Sequence, residues 1–430
     1  MTYEQALNYI HSFEKFGMVL GLERIRMLLE RLHNPQDQLK FIHIAGTNGK
    51  GSTAAMCTRI LTRAGYRCGM YTSPFVVDFR ERFQIDGVMI GEQEFADYAQ
   101  RVKAEIDALK EQGVQITEFE AITALAFLWF YEKRCDVVCL EVGLGGNYDA
   151  TNVIRTPMAA VLCSISLDHV HILGDTVEQI AREKAGVIKQ GGVCVCYPKQ
   201  DLDAVAVFLE KCAQENATFV QANPNAVEIL ECGIAGNRFV YEGREYTTKL
   251  VGEHQIFNAV NVIEVMKQVR AQGFDIPQDC VEAGIAEASF PARFEVLHRA
   301  PAVVVDGAHN LEGAAALAKT LDGFSGGRIV AIMGMLADKD YAHSVAQIAG
   351  RAAHLICVPV DNPRALGCEE LAKCAAGYCE RVEFVHDQRE AFRKAYAELN
   401  TEDLLIVCGS FFMAGPMREI VLEELGTEKL

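Results

Sequence analysis

The stretch Phe41-Ile42-His43-Ile44-Ala45-Gly46-Thr47-Asn48-Gly49-Lys50-Gly51-Ser52-Thr53 decides the reading of this chain. Its apolar half reads as a short buried strand. It breaks into a glycine-rich turn, and a helix is expected to begin near Ser52. Glycines let consecutive backbone N–H groups curl inward, a helix N-terminus adds positive potential, and a lysine reaches outer phosphates. The turn is therefore read as a nucleotide phosphate site. The spacing departs from GxxxxGK[ST], because two residues separate Gly46 from Gly49 and Gly51 stands between Lys50 and Ser52. The alternative is a purely structural strand–helix turn.

Working outward, strands alternate with helical patterns. Strands are expected at Phe41–Ala45, Arg67–Thr72, Val137–Glu141, Ala159–Ile165 and Gly192–Tyr197. An N-terminal helix over Tyr3–Leu32 is interrupted at Gly17–Gly21, and Ala121–Tyr131 reads as a core helix. Short β-branched runs separated by helices predict a mostly parallel sheet covered on both faces. The patch Thr218–Leu250 reads as antiparallel, with a Glu242-Gly243 turn. A second series has strands at Ala302–Asp306, Arg328–Met333, His354–Val358, Val382–Val385 and Leu404–Cys408. The fold class is thus α/β: a P-loop-type, mostly parallel sheet domain over 1–295 and a smaller Rossmann-like domain over 296–430.

A chain of 430 residues is long enough for two or three domains, and a net charge of −17 argues against broad nucleic-acid binding. No apolar run approaches the ~20 residues of a membrane span. The first residues carry neither a basic region nor an apolar one, so no secretory signal is visible. The 15 cysteines lack CxxC pairs and fit a reducing cytoplasm.

Further chemistry falls at strand ends, where open α/β sheets bind ligands. Glu141, followed by Val142-Gly143-Leu144-Gly145-Gly146, is placed to bind a nucleotide's magnesium; the bland alternative is a solvated strand-end carboxylate. Asp168-His169 suggests a second metal or phosphate contact, against a hydrogen-bonded loop histidine. Thr176-Val177-Glu178-Gln179 reads as a helix start, and the helix carries Lys184, which by itself fits a solvated face. Asp306-Gly307-Ala308-His309-Asn310 is a polar cluster on a turn, and so either a site or a helix cap.

In order along the chain, these segments closely resemble the folylpolyglutamate synthase/dihydrofolate synthase family, a branch of the Mur ligases. The resemblance runs through Leu20–Ile25, the Gly46–Thr53 loop, Tyr71-Thr72-Ser73-Pro74 with Glu81-Arg82, and Leu140–Gly146 with Asp149-Ala150-Thr151-Asn152. It continues through Leu167-Asp168-His169, Glu183-Lys184-Ala185-Gly186, Gly252-Glu253-His254-Gln255 with Asn258, Asp306–Asn310, Asp338-Lys339-Asp340 and Cys408-Gly409-Ser410.

The resemblance implies Mur ligase architecture and an enzyme that joins L-glutamate to a folate using ATP and Mg2+ through an acyl phosphate. The acceptor would be tetrahydrofolate or dihydropteroate. It implies Lys50, Glu141, His169 and Lys184 at the catalytic centre, and Ser73, Glu141, His169 and a carbamylated Lys184 around magnesium. Gly49, Lys50, Gly51 and Ser52 would cradle the ATP phosphates, Asn258, Arg293, Asp306 and His309 would hold ATP from the domain interface, and Phe119, Glu120 and Asp149 would meet the folate. A cytoplasmic monomer is expected. This chain has Phe75 where the family has histidine, Asn147 for arginine, Ala292 for glycine and Leu311 for proline. Phe75 and Asn147 are expected near the folate pocket. The rival readings are a Mur-type ligase with another acid and amine, a P-loop ATPase switch, and a non-catalytic descendant.

Overall fold

In the computed structural model, residues 1–13 and 21–426 are described, so the expected helix break at Gly17–Gly21 falls outside them except for Gly21. Two compact units form. Met1–Ala226 with Phe257–Glu287 make the first, and Val227–Ile256 with Ala288 onward make the second. A single cut after residue 295 does not describe these units. The Val227–Ile256 segment packs with the C-terminal residues, and the second unit resumes at Ala288.

The first unit holds strands β1 (Phe41–Ala45), β2 (Cys68–Tyr71), β3 (Phe83–Ile85), β4 (Val88–Met89), β5 (Val137–Glu141), β6 (Ala159–Leu162), β7 (Val193–Cys196) and β8 (Thr218–Gln221). They form one sheet in the order β4-β3-β2-β5-β1-β6-β7-β8, parallel except at β3 and β4. β1 and β5 are buried at every residue, as strands covered on both faces must be. The helix Glu118–Glu132 is buried nearly all round and lies in the first unit's core with Phe127 and Phe130.

Thr218–Gln221 is not part of the antiparallel patch expected there. It follows the helix Leu202–Gln214 and pairs parallel with β7, completing a βαβ crossover.

The second unit contains β9 (Val227–Gly233), β10 (Gly236–Tyr241) and β11 (Arg244–Thr248), an antiparallel sheet with its turn at Glu242-Gly243. It also contains β12 (Glu295–Arg299), β13 (Ala302–Val305), β14 (Ile329–Met333), β15 (His354–Cys357), β16 (Val382–Phe384) and β17 (Leu404–Cys408). Their order is β12-β13-β17-β14-β15-β16, parallel except for β12. The expected series began at β13; the antiparallel edge strand β12 precedes it. The cysteines are free thiols, most of them buried.

Candidate active site

Sheet order builds the site of the first unit. β5 lies between β1 and β2, with Ile44 opposite Glu141 and Tyr71 opposite Leu140. The glycine-rich turn after β1, the carboxylate ending β5 and Ser73 beyond β2 therefore emerge side by side. β6 flanks β1 on the other side, and Ser164 beyond its end accepts from the Thr47 N–H at 2.7 Å.

The helix after the turn spans Lys50–Arg63, two residues earlier than the expected start at Ser52. Gly49 caps it with φ +90°, a left-handed conformation in which a side chain would be strained. A methyl there would also stand 2.7 Å from Asn258 Oδ1. Asn258 thus lies against the phosphate turn.

Lys50 Nζ donates to the carbonyls of Gly46 (3.1 Å) and Thr47 (3.0 Å) and lies 3.9 Å from Glu141 Oε1. Glu141 is 4 % exposed, and its Oε2 accepts from the Ser73 N–H at 3.3 Å. Lys184 does not lie on a solvated face. It is 5 % exposed, and its Nζ donates to Gly46 O at 2.8 Å. Burial, reinforced by the Lys50 ammonium, pulls its pKa down to about 7. Two lysines thus converge on one carbonyl beside a buried carboxylate.

His169 has φ +50° and begins the short helix Val170–Leu173, with its N–H donating to Asp168 Oδ1 at 2.8 Å. Backbone held in this sparsely populated region is a feature of working sites.

Ser73 and His169 line a cavity of about 450 Å³ together with Phe119, Glu120 and Asp149, the three residues expected to meet a folate. The Phe119 ring packs on Gly143, where a methyl would come within 2.5 Å of it. Glu120 is tied to the N–H and hydroxyl of Thr117 at 2.8 and 2.9 Å and to Arg24 at 2.9 Å, so it braces the helix start as well as lining the cavity. Asp149 accepts from Leu144 N and Thr151 N, and burial raises its pKa.

Neither Phe75 nor Asn147 is among the lining residues. Phe75 packs on Phe79 with ring centroids 5.6 Å apart. Asn147 faces the helix that carries Lys184.

Sequence reasoning gave no role to Arg82, although it quoted the residue. Arg82 lines the cavity with its guanidinium 5.3 Å from the Phe75 ring and 5.4 Å from the Phe79 ring. Burial lowers its pKa, while Tyr71, Glu118 and Glu141 oppose that fall. Arg82 closes the turn Phe79–Arg82 just before β3, and only the pairing of β3 with β2 makes this visible.

Arg293, Asp306 and His309 gather in the second unit. Asp306 Oδ2 accepts from Phe294 N and Oδ1 from Ala308 N, both at 2.7 Å. The Arg293 guanidinium lies 4.4 Å from the Phe411 ring, and the His309 ring is 5.1 Å from the same ring. Phe411 was missed because an aromatic in a helix reads as core. Ala292 and Phe294 flank Arg293 with φ of +51° and +46°, so alanine occupies a backbone conformation that suits the family's glycine. Asn310 caps the helix Leu311–Asp322 through Gly313 N at 2.8 Å.

Among the described residues, no group of three His, Cys, Asp or Glu is placed to hold a metal by itself. The oxygen donors of Glu141 and Ser73 beside a phosphate turn fit magnesium. That ion takes one or two protein oxygens and completes its shell with phosphates and water.

Residues 44–266 match the Mur ligase middle domain, and residues 292–411 match the Mur ligase glutamate ligase domain. The dihydrofolate synthase/folylpolyglutamate synthase of Bacillus subtilis is 33% identical over 428 residues, covering 97% of this chain and 99% of that protein. The folylpolyglutamate synthase of Lacticaseibacillus casei is 35% identical over 437 residues, covering 98% and 99%. Among solved structures, Mycobacterium tuberculosis folylpolyglutamate synthase complexed with ADP has a TM-score of 0.88 at 31% identity, covering 97% of this chain and 99% of that one. Escherichia coli FolC in complex with DHPP and ADP has a TM-score of 0.87 at 28% identity, covering 99% and 98%.

Proposed function

Since the chain belongs to the folylpolyglutamate synthase/dihydrofolate synthase family of Mur ligases, we propose that it ligates L-glutamate to folates at the expense of ATP. The acceptor is tetrahydrofolate or a derivative, and dihydropteroate is the second candidate. The acceptor carboxylate attacks the γ-phosphorus and ADP departs. The glutamate amine then attacks the acyl carbon, and phosphate leaves as the amide forms.

The observation that carries this reading is the convergence of Lys50 and Lys184 on the Gly46 turn beside Glu141, next to a cavity walled by Phe119. In this reading Gly49, Lys50, Gly51 and Ser52 hold the ATP phosphates, and Lys50 leaves its carbonyl partners to meet the outer phosphate. Glu141, Ser73, His169 and Lys184, carbamylated on its neutral amine, hold magnesium, which when bound neutralises charge on the transferred phosphoryl. Asn258, Arg293, Asp306 and His309 hold the rest of the nucleotide. Phe119 stacks on the acceptor, Glu120 and Asp149 fix the cavity wall, and Arg82 offers a cation to its carboxylates. A walled cavity keeps water from the acyl phosphate.

Buried free thiols and the absence, among the described residues, of a helix long and apolar enough to cross a membrane support a cytoplasmic setting. We take the chain to act as a monomer, which sedimentation checks.

The test is Mg2+-dependent phosphate release from ATP with glutamate and either tetrahydrofolate or dihydropteroate, with products identified by mass. Release that needs glutamate and an acceptor supports the proposal, and the acceptor used defines the activity. Release indifferent to both would overturn it in favour of a plain ATPase.

A further inference from the structure

Asn147 replaces the family's arginine, and its position suggests a task unrelated to substrate choice. The loop Gly143–Asp149 has two faces. One lines the cavity, with Gly143, Gly145, Gly146, Tyr148 and Asp149. The other rests on the end of the helix Val177–Lys184.

A helix end leaves carbonyls without intrahelical partners. Asn147 supplies donors to two of them: its backbone N–H to Glu183 O at 2.9 Å and its side-chain amide to Arg182 O at 3.3 Å. The fit is close on both sides. A methyl on Gly146 would stand 2.6 Å from Glu183 O and 2.8 Å from Lys184 O. A methyl on Gly186 would stand 2.6 Å from Asn147 Cα. Buried Asn152 locks the arrangement, its amide donating to Asn147 O at 3.2 Å and Gly186 O at 3.1 Å. The residue so gripped is Lys184, whose Nζ reaches Gly46 O at 2.8 Å.

We infer that Asn147 is a positioning residue: it fixes the helix end that delivers Lys184 to the phosphate turn, and so joins the acceptor-cavity loop to the nucleotide loop. The inference deepens the proposed function and rests on that reading for its kinetic arm only. A side-chain amide suits this place because carbonyls at a helix C-terminus want donors. A carboxylate of the same shape would oppose their lone pairs and the helix dipole.

The variants are Asn147→Ala, Asn147→Asp and Gly186→Ala, each as the full chain, labelled in CO2-free buffer and assayed for turnover in bicarbonate-containing buffer. Lysine accessibility is read by pulse acylation with an amine-reactive ester and peptide mass spectrometry, using Lys50 as the internal reference because it shares the Gly46 carbonyl. Loss of a hydrogen bond of ordinary strength predicts labelling of Lys184 about fivefold faster while Lys50 is unchanged. Gly186→Ala, which pushes Asn147 from the opposite side, is expected to act alike. In turnover, kcat should fall about tenfold with KM for ATP and acceptor within about twofold, and Asn147→Asp should be worse than Asn147→Ala.

Unchanged Lys184 labelling overturns the inference. So does equal acceleration at Lys50, which marks general loosening, and so does an Asp variant better than Ala, which marks simple space filling. Wild-type chain without acceptor-dependent turnover would sink the proposed function instead, while the labelling arm would still judge Asn147.

Discussion

Replacing Lys184 by methionine should make the protein more stable and inactive at once, and the gain should depend on pH in a defined way. Burial holds the Lys184 pKa at about 7 in the fold, whereas a lysine in the unfolded chain titrates near ~10.4. Between these values the unfolded chain binds the extra proton, so wild-type stability rises with pH from about 7 to about 10. At about 1.36 kcal/mol per pH unit, the fold at pH 7 bears a penalty of about 4 kcal/mol for this one side chain. Methionine removes the penalty and also the bond to Gly46 O, which costs about 1–2 kcal/mol because that carbonyl then has one donor fewer. The net expectation for Lys184→Met is a gain of about 2–3 kcal/mol at pH 7 that shrinks by about 2 kcal/mol at pH 9.

Urea unfolding followed by tryptophan fluorescence measures this cleanly. The chain has one tryptophan, Trp129, buried in the first unit with Lys184. CO2-free buffer keeps the amine uncarbamylated. A variant less stable at both pH values, or a difference that does not move with pH, would refute the buried-amine argument.

Lys50→Ala should lower kcat by at least about 10²-fold in the phosphate-release assay, because it removes the cation on the transferred phosphoryl. Gly143→Ala should force the Phe119 ring off its seat, raising KM for the acceptor several-fold and costing about 1–3 kcal/mol in urea unfolding. His43, fully buried against Thr151 Oγ1 at 2.9 Å, has its pKa lowered to about 3 by burial. Below about pH 6.5 the unfolded chain therefore binds the extra proton and stability falls toward pH 3. His43→Gln should move the midpoint of acid unfolding to lower pH.

The first stretch quoted was enough to place β1, the phosphate turn and a helix, because a buried parallel strand must be continuously apolar and a phosphate cradle needs glycines and a cation. Strand ends were legible for the same reason, which is why Glu141 and the Asp306–Asn310 turn could be named as candidates, whereas Ser73 entered only through the family resemblance. Lys184 was named through the family resemblance alone and was not legible from its own spacing. In a helix reading Arg182-Glu183-Lys184 it looks solvated, and only the packing of that helix end on Gly146 and Asn147 buries its amine at Gly46. Arg82 was quoted without a role and Phe411 was passed over because a motif shows spacing along the chain, whereas their surroundings are assembled from strands and helices far apart in it. The pairing of Val227–Ile256 with the C-terminal unit likewise depends on contacts of long sequence separation. Local order thus followed from the sequence, through periodicity, turn chemistry and charge. Which side chains meet, and with what protonation, was decided by tertiary structure, since burial and proximity are properties of the packed chain.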